Sequence, residues 1–359
     1  KRKTILKNLK QVDKIIPQKS KDYIPNVKKI KPDFVVHGDD WKKGPLSKPR
    51  EQLKKVLKKW GGKLVEPKYT KNISSSKLKE KIQKKGISTS NRISSLKRLL
   101  HSKDIVRIIE SHNSLTGLII ENVNIKNKGE LNEFDGMWSS SLTDSLTKGK
   151  PDNQSVDYSS RIQNLSEIMN VTTKPVIFDA DNGGRIEHLP YLIKSLENLG
   201  VSGIIIEDKK GLKKNSLFEN QSDANQDNVK DFCKKIQIAQ RTKISNDLLI
   251  IARIESFIFN KGLKDALLRA EMYSKAGADA IMIHSKEKTA NEVFKFSKSF
   301  IKSKFFKPLV AVPSTYSGTT EDQLKKNGFS IVIYANQMLR ASYPAMKNAA
   351  IEILKNKRA

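Results

Sequence analysis

Gly203-Ile204-Ile205-Ile206-Glu207-Asp208-Lys209-Lys210-Gly211-Leu212-Lys213-Lys214-Asn215-Ser216 starts as an apolar run, meets two carboxylates and continues into a basic, polar loop. An unbroken β-branched run is the pattern of a strand covered on both faces. Glu207 and Asp208 therefore stand where a buried strand reaches the surface, with the loop hanging over that point. Acid at a strand end suggests a metal. Lysine, asparagine and serine on the loop suggest a phosphate-like group held above it. Together they ask for an enzyme acting on a small anionic substrate.

The same unit recurs along the chain from residue 104. Ile105-Val106-Arg107-Ile108-Ile109, Phe134-Asp135-Gly136-Met137-Trp138 and Val176-Ile177-Phe178 precede it. Leu249-Ile250-Ile251-Ala252, Ala280-Ile281-Met282-Ile283, Leu309-Val310-Ala311-Val312 and Ile331-Val332-Ile333-Tyr334 follow. Segments between them, such as 262–277, carry helical periodicity and stop on glycine. Eight strand–helix units predict an α/β fold of the (β/α)₈ TIM barrel class over 104–359. A doubly wound open sheet is the alternative, but no G-x-G-x-x-G follows the first strand.

Chemistry in such a barrel collects at the C-terminal ends of the strands. Those ends read Ser111-His112-Asn113, Trp138-Ser139-Ser140-Ser141, Asp179-Ala180-Asp181, Glu207-Asp208-Lys209, Arg253-Ile254-Glu255, His284-Ser285-Lys286, Pro313-Ser314-Thr315 and Asn336-Gln337. Asp179, Asp181 and Glu207 come from two successive ends and can share one hard cation; oxygen-only ligation favours Mg²⁺ over zinc. Aspartates after strands also cap helices, yet three carboxylates at neighbouring ends favour the metal. Arg253 and His284 are expected on the opposite side of the ring, facing the metal across the mouth, with Arg253 offering a planar fork to a phosphoryl or carboxylate group. Around Ser139-Ser140-Ser141, backbone N–H groups can cradle a carboxylate. His37, His101, His112 and His188 show no ligand spacing.

Composition limits the other classes. The net charge of +30 is concentrated: residues 1–100 hold 30 Lys and Arg against 8 acids, leaving 38 against 30 for the rest. Lysines spread over amphipathic helices, with no aromatic stacking set among them, read as solvated faces rather than a nucleic-acid surface. No run approaches a membrane span, and no signal peptide is read at the start. The single cysteine, Cys233, lies in a helical stretch and has no partner. It reads as a packing residue in a reducing compartment, so the expected location is cytoplasmic.

Taken in order, Trp138-Ser139-Ser140-Ser141, Asp152, Asp179-Ala180-Asp181, the 207–216 run, Ala252-Arg253-Ile254-Glu255 and His284-Ser285-Lys286 resemble the phosphoenolpyruvate mutases of the isocitrate lyase superfamily. The resemblance covers about 88–359. It implies that Asp179 contacts Mg²⁺ directly while Asp152, Asp181 and Glu207 hold its waters. It also implies that amides around Ser140, Ser141 and Leu142 bind a pyruvyl carboxylate against Trp138. Arg253 and His284 would then bind the phosphoryl group of phosphoenolpyruvate or phosphonopyruvate, and Lys213, Asn215 and Ser216 would lie on a closing lid. The superfamily's lyases carry a K-[KR]-C-G-H loop that is absent here. Phosphonopyruvate hydrolases look similar but typically have threonine where this chain has Asn215, which tips the resemblance to the mutases. An insertion around 124–133 departs from the pattern. The chain also stops soon after a helix at 346–353, where the family continues into a last helix often exchanged between subunits; a homo-oligomer is the corresponding expectation.

Residues 1–82 resemble a second family, the cytidylyltransferases of the glycerol-3-phosphate and ethanolamine-phosphate type. Lys31-Pro32-Asp33-Phe34-Val35-Val36-His37-Gly38-Asp39-Asp40-Trp41 and Asn72-Ile73-Ser74-Ser75-Ser76-Lys77 carry that resemblance. It implies a partial Rossmann-like nucleotidyltransferase domain in which Asp40, Trp41, Ile73, Ser74 and Ser75 bind CTP. The family's H-x-G-H half would lie before residue 1, so the chain reads as a fragment whose first domain is not catalytic alone. Elements expected there are an opening helix at 3–9, strands at 34–36 and 63–66, a helix at 50–60 and another from about 75. Residues 83–103, rich in serine and lysine, are read as a linker and barrel entry helix. The competing readings are a phosphoenolpyruvate mutase, a phosphonopyruvate hydrolase, and a CTP-binding module attached to an inactive barrel.

Overall fold

The computed structural model describes residues 12–18, 20, 22–42, 47–68, 88–127, 130–211, 213–216 and 226–358. The chain divides into two compact units, Lys1–Lys85 and Gly86–Ala359. The helices expected at 3–9 and from about 75, and the site residues Ile73, Ser74 and Ser75, lie outside the described residues.

In the first unit, strands β1 (Phe34–Val36) and β2 (Lys63–Val65) pair in parallel, as their alternation with helices requires. Helix Ser47–Leu57 continues as a 3₁₀ turn, Lys58–Trp60, ended by Gly61 in the left-handed region at φ +80°. Leu53 and Leu57 face inward, where Val27 and Trp41 complete a small core, while Lys54 and Lys55 point outward. The Trp41 indole stacks on His37 with ring centroids 3.8 Å apart and donates to Glu66 Oε1 at 2.8 Å. Arg50 also grips Glu66, from Nε at 2.6 Å and from Nη2 at 2.7 Å.

In the second unit, β3 (Val106–Glu110), β6 (Gly136–Ser139), β7 (Val176–Asp179), β8 (Gly203–Glu207), β9 (Leu249–Ile254), β10 (Ala280–Ile283), β11 (Leu309–Ala311) and β12 (Phe329–Tyr334) form a closed barrel. Every pair is parallel, and β12 returns to β3 with Ile331 opposite Val106. All eight expected strands are present. Within the stretch 83–103, read as linker and entry helix, Thr89–Ser102 is a helix capped by Ser88. Its Leu96 joins the barrel-interior cluster of Val106, Ile108, Ile177, Ile205 and Ile251. Arg92 donates to the carbonyls of Met169 and Thr172, and Ser202 Oγ to that of Arg92, so the helix closes the N-terminal end of the barrel. That leaves the opposite mouth open to carry chemistry.

The insertion at 124–133 is an antiparallel hairpin, β4 (Asn124–Asn127) and β5 (Glu130–Glu133). The helix expected at 346–353 is part of a longer one, Gln337–Asn356, with Pro344 inside it. Period alone pointed to its C-terminal half because Pro344 interrupts the pattern. Its first turn is fastened to the barrel by buried Glu110, whose Oε2 accepts the N–H groups of Met338 at 3.1 Å and Leu339 at 3.3 Å. Among the described residues no helix is long and apolar enough to cross a membrane.

Candidate active site

The strand ends converge on one cavity of about 70 Å³ at the barrel mouth. Trp138, Ser140, Ser141, Leu142, Asp152, Asp179, Lys213, Asn215, Ser216, Arg253 and His284 all line it. A roomier cleft of about 450 Å³ lies elsewhere, on the outer wall of the barrel between the hairpin and β3 and β12. Its lining mixes apolar Val123, Ile125 and Phe134 with Arg107 and Glu321, which are ion-paired with each other at 2.5 Å. The smaller cavity, which gathers the strand-end residues, is the candidate site.

The acidic side is built by β6, β7 and β8. Helix Ser141–Leu146 begins where β6 ends, and Ser141 reaches Asp179 Oδ2 from its hydroxyl at 3.0 Å and its N–H at 3.5 Å. Asp181 follows β7 in the left-handed region at φ +50°, a conformation that costs free energy for a residue with a Cβ. Gly183 and Gly184 continue the turn at φ +80° and +66° without that cost. Glu207 ends β8 and is buried. Lys213 reaches in from the loop: its ammonium forms ion pairs with Asp181, with Asp152 Oδ1 at 3.2 Å and with Asp179 Oδ2 at 3.9 Å.

These charges set one another's proton affinity. Burial pushes the Asp179 carboxyl up, but Lys213, Arg161 and Arg253 outweigh it and bring the group down to about 2. Burial raises Asp152 and Glu207 above the usual carboxylate range, against the pull of Lys213 on the first and of Lys209 and Arg253 on the second. Burial lowers Lys213, yet Asp181, Asp179 and Asp152 more than restore it, so the ammonium stays charged.

The cationic side is not across the ring as expected. β9 is the neighbour of β8, and Arg253 stands in register with Glu207, with Nη2 3.4 Å from Glu207 Oε2. Arg253 Nη2 also lies 2.9 Å from His284 Nδ1 and donates to Ser216 Oγ at 3.0 Å. Glu255, two residues beyond Arg253, holds the group together. It accepts from Arg253 Nε and from Ser216 Oγ at 2.7 Å, and its Oε1 lies 3.0 Å from His284 Nδ1. Burial opposes ionisation of Glu255, but Arg253, His284 and Lys209 hold it well below the ordinary range. Burial and Arg253 lower the His284 ring, so it is neutral at pH 7.

Several side chains that matter were not singled out from sequence. Glu255 was seen only as part of a strand end, while Asp144 and Arg161 carried no signal of spacing or motif. Asp208, the second acid of the opening run, turns away from the cavity. It accepts from Tyr273 Oη at 2.8 Å, Arg269 Nη1 at 3.1 Å and Gln226 Nε2 at 2.9 Å. Cys233 is buried on helix Val229–Thr242, as a packing residue should be. In the first unit, Trp41 is buried in the small core rather than lying open to a ligand.

The acidic side fits a hard divalent cation. Apart from ion pairs with Lys213 and Arg253, Oδ1 of Asp152, Oδ1 of Asp181 and both oxygens of Glu207 are buried with no hydrogen-bond partner. Buried carboxylate oxygens left in that state are costly, and a cation would relieve them. Among the described residues no three ligands already converge into a cage.

A model of the family described as phosphoenolpyruvate phosphomutase matches residues 96–354. The chain belongs to the phosphoenolpyruvate phosphomutase family. A phosphoenolpyruvate phosphomutase of Tetrahymena pyriformis is 34% identical over 74% of this chain and 85% of its own length. Among solved structures, a phosphoenolpyruvate phosphomutase from Streptomyces platensis subsp. rosaceus superimposes with a TM-score of 0.68 at 31% identity, covering 74% of this chain and 88% of that one. A phosphonopyruvate hydrolase in complex with oxalate and Mg²⁺ follows at TM-score 0.65 and 29% identity, covering 76% of this chain and 89% of that one. The family's barrel thus accounts for the second unit, and its members include enzymes of both named activities.

Proposed function

We propose that the protein is a Mg²⁺-dependent phosphoenolpyruvate phosphomutase, an isomerase that interconverts phosphoenolpyruvate and 3-phosphonopyruvate. The observation that carries this reading is the pairing, in one cavity, of the Asp179 carboxylate side with the Arg253–His284 side only a strand away. Asp179 would contact the ion, with Asp152, Asp181 and Glu207 holding its waters. Bound there, Mg²⁺ would neutralise negative charge on the substrate's oxygens.

The chain's own groups do the rest. Amides around Ser140, Ser141 and Leu142 face a substrate carboxylate, with Trp138 as a wall. Arg253 presents its fork to the phosphoryl oxygens, held by Glu255, and neutral His284 can donate to the same group from its ring. In the reaction the P–O bond to the enolate oxygen breaks and a P–C bond to the methylene carbon forms, so no net proton is exchanged. A transferring phosphoryl group with metaphosphate character needs positioning and exclusion of water more than acid–base help. Lys213, Asn215 and Ser216, on the loop over the mouth, supply that cover.

A second reading is phosphonopyruvate hydrolase, favoured by the likeness to the oxalate- and Mg²⁺-bound hydrolase. Asn215 weighs against it. Phosphorus NMR of the protein with phosphonopyruvate and Mg²⁺ tests both: phosphoenolpyruvate as product supports the mutase, and phosphate with pyruvate alone would replace it by the hydrolase. For the first unit the proposal is a nucleotide-binding module. The parallel β1–β2 pair and the turn Asp39–Trp41 after β1 support it, and calorimetric titration with CTP tests it.

A further inference from the structure

Helix Tyr158–Asn170 carries Arg161 into the wall of the barrel, where its side chain is almost fully buried. Its guanidinium uses each nitrogen on a different element. Nε donates to Asp144 Oδ2 at 2.9 Å, on the short helix that begins at Ser141. Nη2 approaches the Ser139 carbonyl, at the end of β6, at 3.5 Å. Nη1 donates to Asp181 Oδ2 at 3.2 Å, beyond β7. The Phe178 ring lies against the guanidinium, its centroid 4.3 Å from the central carbon.

The consequence for Asp181 is specific. Arg161 takes one of its carboxylate oxygens, Oδ2, and leaves Oδ1 for Lys213. The Asp181 backbone lies in the left-handed region at φ +50°, its N–H donating to Asp179 Oδ1 at 3.1 Å and its carbonyl accepting from the Glu207 N–H at 2.8 Å. Asp144 is fully committed elsewhere, accepting also from Ser139 Oγ at 3.3 Å and from Asn164 Nδ2 at 3.0 Å. A planar, three-way donor of this kind is what arginine provides and lysine does not.

We infer that Arg161 is a positioning residue for the metal centre: by holding Asp181 Oδ2 it aims Asp181 Oδ1 at the ion. The inference rests on the Mg²⁺-dependent reading of the site. Arg161 touches neither substrate nor ion, and acts through Asp181. Partners that orient ligands in this way typically carry about 10–100-fold in metal affinity.

The test is Mg²⁺ binding by isothermal titration calorimetry, beside thermal unfolding without the metal. Arg161→Lys keeps the charge but lacks the planar fork that fixes Asp181 Oδ2, and is expected to weaken Mg²⁺ binding at least about tenfold. Asp144→Asn disturbs the same buried cluster while leaving the Arg161–Asp181 contact, and is expected to lose less than about tenfold in Mg²⁺ affinity. A folded Arg161→Lys protein with wild-type affinity overturns the inference. Equal losses in both variants, tracking equal losses of stability, also overturn it in favour of a structural ion pair. Should Arg161→Lys not fold, the Arg161→Gln/Asp144→Asn pair, which removes both charges, is held to the same tenfold criterion. A wild-type protein that binds no Mg²⁺ rejects the underlying reading instead, and the inference falls with it.

Discussion

Lys213, on the loop over the mouth, is ion-paired with Asp181 beyond β7, so a lysine from one strand end stands among the carboxylates of another. Asp152 and Asp179 lie 3.2 and 3.9 Å from the same ammonium. An ammonium and a divalent cation compete for such a cluster, because both answer the same uncompensated negative charge.

Replacing Lys213 by methionine should therefore separate two properties. Mg²⁺ binding, followed by calorimetry, should hold or tighten. Turnover, followed by phosphorus NMR, should fall by about 10²–10³-fold, the usual effect of removing one preorganised charge from a reacting group. Parallel losses of both would mean that Lys213 only supports the fold of the loop.

Asn215 lines the cavity beside Ser216 and Arg253. Asn215→Thr shortens the side chain and removes an amide donor from the loop over the mouth. The expected outcome is a shift in product from phosphoenolpyruvate to pyruvate plus phosphate, with total consumption of phosphonopyruvate changed less than the ratio. Quantitative phosphorus NMR at early times reads that ratio directly.

Glu255 fixes both Arg253 and the neighbourhood of His284 from a fully buried position. Glu255→Gln keeps the shape but loses the charge that pairs with Arg253. kcat/KM should drop by about 10²-fold, the range seen when a transition-state donor is misplaced. Mg²⁺ affinity should change little, since Glu255 is not on the acidic side. Steady-state kinetics set against metal titration checks the separation.

In the first unit, the Arg50 hydrogen bond to Glu66, helped by Trp41 and Lys42, lowers the Glu66 pKa to about 2. A carboxylate whose folded pKa lies below its unfolded value of about 4 stabilises the fold above that value. The contribution is then lost as pH falls through about 2. Acid titration of a Trp138→Phe protein, whose remaining emission comes from Trp41 and Trp60, should show the unit loosening between pH 4 and 2. Glu66→Gln should remove that pH dependence while lowering stability at pH 7.

Much of the barrel was legible because its determinants are local. Each β-branched run between helical segments marks its own strand, and a closed parallel sheet is the architecture that buries eight such runs. The bounds of the entry helix were harder to read, since the serines of Thr89–Ser102 are weak helix formers. Burial of Ile93 and Leu96 against the base of the barrel overrides that weak propensity.

The amino-acid sequence by itself determined the eight strands, the carboxylates Asp179, Asp181 and Glu207 at their ends, and the polar loop carrying Lys213 and Asn215. Tertiary structure alone decided which charges meet. Strand order in the closed sheet puts Arg253 beside Glu207, not opposite it. The same folding brings Lys213 to Asp181 across 32 residues and Arg161 to Asp181 across 20. Periodicity along a chain reports whether a side chain faces inward; it carries no distance between side chains on different elements. Those distances appear only when the barrel closes, and in this site the low local dielectric makes them the terms that govern charge.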